Sequence, residues 1–151
     1  MVTPLSIHMI SAIIWVGGMF FALRMLRPSL EHLSPPDTVT LWIGVLERFF
    51  SWIRVIVLLL PATGYWMVFG EIGGFRQAGL HVYLMHTLGW IMIGLFLWIY
   101  LFPFRRMKKM AREELIPEAG MYMMRIRRLV SINMVLGMIV STLAAVGPFI
   151  Y

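Results

Sequence analysis

Four histidines, fourteen methionines and no cysteine make up the metal-binding nitrogen and sulfur donors of this 151-residue chain. Without thiolates, disulfides, iron–sulfur clusters and thiolate metal sites are excluded. Metal chemistry falls to imidazole nitrogen and thioether sulfur. His8 is the first residue to explain. It lies in the run from Ser6 to Phe20, which is apolar except for Ser6, His8 and Ser11 and holds the pair Gly17-Gly18. Polar side chains at membrane depth are costly, so they face a bundle interior, a cavity or a cofactor. His81 and His86 open a second apolar run with Tyr83 and Trp90, whereas His32 stands beside Glu31 in a polar stretch and reads as solvated.

The elements that must position these residues follow from composition. Hydrophobic residues make up 60% of the chain, charged residues 13%, and the mean hydropathy is +0.84, which indicates an integral membrane protein. The apolar residues form four blocks of spanning length. They predict one all-α domain over residues 1–151, a four-helix transmembrane bundle with helices near 2–26, 41–69, 80–104 and 129–151. Pro4 fits a first helical turn, where its missing N–H would be unpaired anyway. The first block is too long for a signal-peptide core, lacks a basic start and is expected to stay as an anchor. Residues 28–40, with Pro28, Pro35, Pro36 and Asp37, read as a turn-rich connection, and 70–79, with Gly73-Gly74, as a short loop. Residues 105–128 read as a basic loop with an amphipathic helical start on the membrane surface.

Charge gives the orientation. Arg76 is the one Lys or Arg on the side of the termini, and the other twelve lie toward the opposite face or, for Arg54, within a span. The positive-inside rule then puts both termini on the outer, periplasmic side and the basic loop in the cytoplasm. The net charge of +6 is topological and satisfied by anionic lipid headgroups. It is no nucleic-acid footprint.

With helices one and three running in the same direction, His8 and His86 are each the seventh residue of their apolar block, roughly 10 Å inside the outer boundary. His81 lies about 7 Å higher and about 140° around the same helix, so one face cannot present both His81 and His86 to one ion. Two imidazoles at one depth suit axial ligation of a b-type haem. Ser11, Ala12, Gly18 and Gly89 leave room for a macrocycle, Trp15, Tyr83 and Trp90 would edge its pocket, and Arg76 or Arg54 would meet its propionates. A guanidinium near mid-span costs about 2.5–3.5 kcal/mol unless paired. Arg54 is therefore expected to face the bundle interior, the alternative being that it snorkels toward Glu47-Arg48. Pro61 is expected to bend its helix. Met9, Met67 and Met85 fall near the outer histidines, and thioethers suit Cu(I). Copper binding through outer-side His and Met is accordingly the alternative to haem.

These features resemble a known group. His8 followed by Trp15, Gly17-Gly18, Phe20 and Arg24, and Glu47-Arg48 before helix two, look like the small four-helix bacterial membrane proteins of the copper-resistance D-domain (CopD-like) group. More distantly they are similar to the HemJ-type membrane protoporphyrinogen oxidases. The oxidase resemblance implies haem held by histidines of helices one and three. There, Leu80-His81-Val82-Tyr83 stands where those enzymes carry Leu-His-x-Lys, so the lysine is missing. Family position favours His81 as the second ligand, and depth favours His86. The proline motif that opens helix four is also absent around Arg128 and Asn133. The resulting expectation is a multi-pass protein of the bacterial inner membrane that binds haem b and transfers electrons, with a quinone or a porphyrinogen-like substrate as partner. A copper uptake or resistance protein is the alternative, and an accessory subunit of a larger respiratory complex, or a homo-oligomer, the third. No catalytic residue is assigned.

Overall fold

In the computed structural model, which describes residues 2–150, each helix boundary has a local cause. Helix α1 runs Val2–Phe21, passes through a π turn at Ala22–Leu26 and ends at Arg27–Ser29. Ser34 then starts α2, Pro35–Met67. Its backbone is extended, its hydroxyl accepts from the Asp37 N–H at 3.3 Å, and prolines fill the first two helical positions. Those are the positions where a missing N–H costs nothing. The prolines read as part of a connection are thus the first turn of a helix, which begins six residues before the expected 41. Pro61 lies inside α2. A second π turn, Val68–Ile72, ends at Gly73 and Gly74, whose φ values of 88° and 109° only glycine adopts without strain.

A 3-10 turn, Phe75–Gln77, leads into α3, Leu80–Leu101. Phe102 leaves helical geometry and Pro103 opens α4, Pro103–Arg112. A three-residue link with Glu114 at φ 60° joins α4 to α5, Ile116–Val146, which a 3-10 turn at Gly147–Phe149 follows. The expected basic loop is therefore almost wholly helical, and the expected end of helix four at Tyr151 lies outside the described residues. The apolar stripe explains the longer α5. Ala119, Met123, Ile126, Val130, Met134 and Gly137 are buried at spacings of three and four, so the interior face carries on beneath Arg125, Arg127 and Arg128. Helix α4 is amphipathic as expected. Its apolar residues Phe104 and Met107 are buried at 1% and 0% exposure, so its inner face packs on the bundle.

Helix α1 packs along α2, α5 packs along α3 and α4, and α1 also meets α5. Between α2 and α3 stands an aromatic layer. Phe50 sets its ring edge-on to Phe96, Tyr100 and Phe104 at centroid distances of 5.5, 6.1 and 5.0 Å. Trp15 reaches Phe96 from α1 at 6.3 Å. The exterior is apolar too. Ile13, Trp52, Leu58, Trp66, Trp98 and Ile139 are all exposed, more large apolar side chains than a water-facing surface carries without a partner. Among the described residues three helical stretches are long and apolar enough to cross a membrane, Val2–Ser29, Leu80–Arg112 and Ile116–Phe149. The expected fourth span, now α2, is also long but carries Asp37, Glu47, Arg48 and Arg54. The chain is a helical membrane protein.

Close approach of α1 and α5 depends on Gly137. A Cβ there would stand 2.7 Å from Val16 Cγ2 and 3.1 Å from Met92 Cε. Gly137→Ala is expected to destabilise the fold by about 1–3 kcal/mol through overpacking. Gly17→Ala, where a Cβ meets nothing within 4 Å, should be neutral or stabilising by about 0.5–1 kcal/mol. Unfolding midpoints in mixed micelles compare the two. Equal midpoints would show that the α1–α5 spacing is soft.

Candidate functional site: the histidine end of the bundle

His8 is half-buried on α1 and faces α2, where its Nδ1 lies 2.9 Å from Thr63 Oγ1. The Thr63 hydroxyl has one hydrogen, and the 2.6 Å contact to the Leu59 carbonyl takes it. Thr63 therefore accepts from the His8 Nδ1–H. That fixes the tautomer and leaves the lone pair on Nε2, the arrangement of an imidazole ready to ligate a metal. The ring rests against Gly64, where an added Cβ would come to 3.5 Å of Cε1. Met67 follows Thr63 by one helical turn, so its thioether belongs to the same face of α2. Met9, next to His8, is exposed at 46%.

His86 also turns to α2, but to a different side of it. Its Nε2 lies 2.9 Å from the Tyr65 hydroxyl oxygen and accepts from the Trp90 indole N–H at 3.2 Å. That N–H also lies 3.3 Å from Tyr65 Oη. Phe75 closes the cluster at 5.2 Å between ring centroids. The Nε2 lone pair of His86 is thereby in use. Thr63 and Tyr65 are two residues apart on one helix, so the sides they serve differ by about 160°. His81 takes a third direction. It packs against Gly147, where a Cβ would meet its Cγ at 2.4 Å, and its Nδ1 is buried without a partner.

The structure thus gives His8, His81 and His86 three different neighbours, and among the described residues no group of three or more His, Asp or Glu side chains could hold a metal ion. His8 and His86, the pair expected to meet at one iron, are each bonded to a different residue of α2. His8 and His86 serve different sides of α2, the His86 lone pair is committed, and Trp15 is a core residue edge-on to Phe96. Tyr83 donates its hydroxyl to the Phe75 carbonyl at 2.8 Å and so pins the turn that carries the exposed Arg76.

Arg54 is exposed, contrary to the expected interior placement. Its guanidinium makes long contacts of 3.5 Å to Tyr100 Oη and 3.4 Å to Ser51 Oγ and lies 5.8 Å from the Tyr100 ring centre. The long side chain finds polar and aromatic partners on the rim, which removes the need for an internal pocket. Neither Arg54 nor Arg76 meets the other expected site residues. His32 is exposed, as expected of a solvated residue.

Thr63 and Tyr65 were not singled out as site residues from sequence, although two hydroxyls shortly after Pro61 in an apolar helix are a legible signal. Hydroxyls at that depth need partners, and helices with a facing histidine provide them.

No curated protein and no solved structure shows significant similarity to the chain. The family model of copper resistance protein D matches residues 43–147, from within α2 to the end of α5. His81, His86, Thr63 and Met67 fall inside that match, and His8 with the Trp15-to-Arg24 motif precedes it. With more than half its length matched, the chain belongs to the copper resistance protein D family.

Proposed function

We propose that the protein handles copper at a bacterial inner membrane, binding it at the end of the bundle that carries His8 and contributing to copper uptake or resistance. The match of residues 43–147 to copper resistance protein D carries this reading. The donor set supports it. Cysteine is absent, His8 keeps an uncommitted Nε2 behind its bond to Thr63, and Met67 adds a soft thioether on the same helix face. Copper is cargo here, and a half-buried site with few ligands lets it arrive and leave. In this proposal the histidine end faces the periplasm and the basic end the cytoplasm, following the lysine and arginine asymmetry.

Two measurements on one sample test the reading: metal analysis of the detergent-purified protein loaded with Cu(I), and its visible spectrum before and after reduction. About one copper per chain without a Soret band is expected, together with altered cell-associated copper in expressing cells relative to an empty vector. A Soret band that shifts on reduction, in protein that retains no copper, would replace copper handling with haem-based electron transfer.

A further inference from the structure

The opposite end of the bundle holds four cations in one place. Arg24 and Arg27, from the last turns of α1, and Arg127 and Arg128, from α5, line a groove of about 450 Å³. Arg24 sits in the π turn, and Arg27 follows it by three residues, so both reach the same side. No carboxylate lines this groove. Glu31 borders the neighbouring one, beyond Arg27 and Arg127. Among the described residues the ion pairs are Lys108–Glu47 and Lys109–Glu113, and neither involves these arginines. Arg127 Nε is buried with no hydrogen-bond partner, and Arg27 lines the same groove.

Four like charges lining one groove repel one another unless an anion offsets them. Guanidinium forks match the tetrahedral oxygens of phosphate in a way that single ammonium groups do not. The groove is also apolar on one wall. Met124 and Ile132 line it and are 56% and 46% exposed. Ile132 is followed on α5 by the exposed Val135 and Ile139, which lead toward the apolar exterior. An anion with a hydrocarbon tail fits both walls, and a free anion fits one.

We propose that this groove binds the phosphate headgroup of an anionic membrane lipid through Arg24, Arg27, Arg127 and Arg128, with an acyl chain laid along Met124 and Ile132. Ser131, on the same wall, supplies a hydroxyl to the headgroup. The site is at the other end of the molecule from His8, so it stands or falls apart from copper binding.

The test is native mass spectrometry of the full chain in detergent, titrated with phosphatidylglycerol or phosphatidylcholine. Phosphatidylglycerol should be retained and phosphatidylcholine lost. R127Q/R128Q should reduce retention about tenfold or more, whereas R105Q/R106Q, which removes the same charge from α4, should change it little. R24Q/R27Q decides by the same criterion if R127Q/R128Q does not fold, as judged by its thermal midpoint. Equal losses for groove and α4 variants would reduce the effect to bulk charge and overturn the site. Equal retention of both lipids would overturn it as well. Full displacement of phosphatidylglycerol by millimolar inorganic phosphate would overturn the lipid and leave a soluble phosphate as the ligand.

Discussion

His8→Ala is expected to weaken Cu(I) binding by about 100-fold or more, and Thr63→Val by about tenfold, the range seen when a group that orients a metal-ligating histidine is lost. The two effects have separate origins. Alanine removes the nitrogen that would meet the ion. Valine keeps the shape of threonine but removes the oxygen that accepts from Nδ1–H, so the ring is no longer held in the tautomer that exposes Nε2. His86→Ala serves as the contrast, because the His86 lone pair is already taken by Trp90. It should change Cu(I) affinity by less than about threefold, a difference under 1 kcal/mol. Competition against a chromophoric Cu(I) chelator in detergent gives all three values. A larger loss for His86→Ala than for His8→Ala would move the site to the aromatic cluster on α3.

Phe50→Ala should be the most damaging single truncation in the core, costing about 3–5 kcal/mol. Phe50 is 2% exposed and pairs with Phe49, Phe96, Tyr100 and Phe104. It therefore holds α2 to α3 and to the start of α4 at once. Edge-to-face geometry adds about 0.5–1.5 kcal/mol per pair beyond area burial, and its loss leaves a cavity that stiff neighbouring rings cannot fill. Phe50→Leu keeps most of the volume and should cost about half as much. Unfolding midpoints of the two variants in mixed micelles check this. If Phe50→Ala melts with the parent, the aromatic layer is not what joins these helices.

The class of fold was legible because bilayer-length apolar runs leave few alternatives. The boundaries were less so. Pro35-Pro36 carries the same signal in a loop and in a first helical turn, and only the Ser34 cap with Asp37 tells them apart. The start of α5 was hidden for a different reason. Arg125, Arg127 and Arg128 dominate any hydropathy window, yet long cationic stems let a helix keep a buried stripe beneath charged tips. At the site, His8 was found by its cost in an apolar run, but its partner was not. Depth along a helix can be counted from sequence, whereas the direction a side chain faces depends on which helices become neighbours. His8 and His86 match in depth and still meet different sides of α2. Arg54 shows the same limit, since a cation inside an apolar run says that a partner is needed and leaves open that Tyr100 at the rim is enough.

The three-residue link between α4 and α5 bears on the order in which the molecule assembles. Closing so short a loop takes tens of nanoseconds and costs little entropy, and Glu114 in the left-handed region sets the reversal by backbone geometry. Contacts of α1 with α5, by contrast, must wait until the ribosome has made everything between them. The α4–α5 hairpin is thus the most local pairing of long-range consequence. It sets Phe104 and Met107, 1% and 0% exposed in the finished bundle, against α5 early, and the last helix then joins the bundle as the trailing arm of that corner.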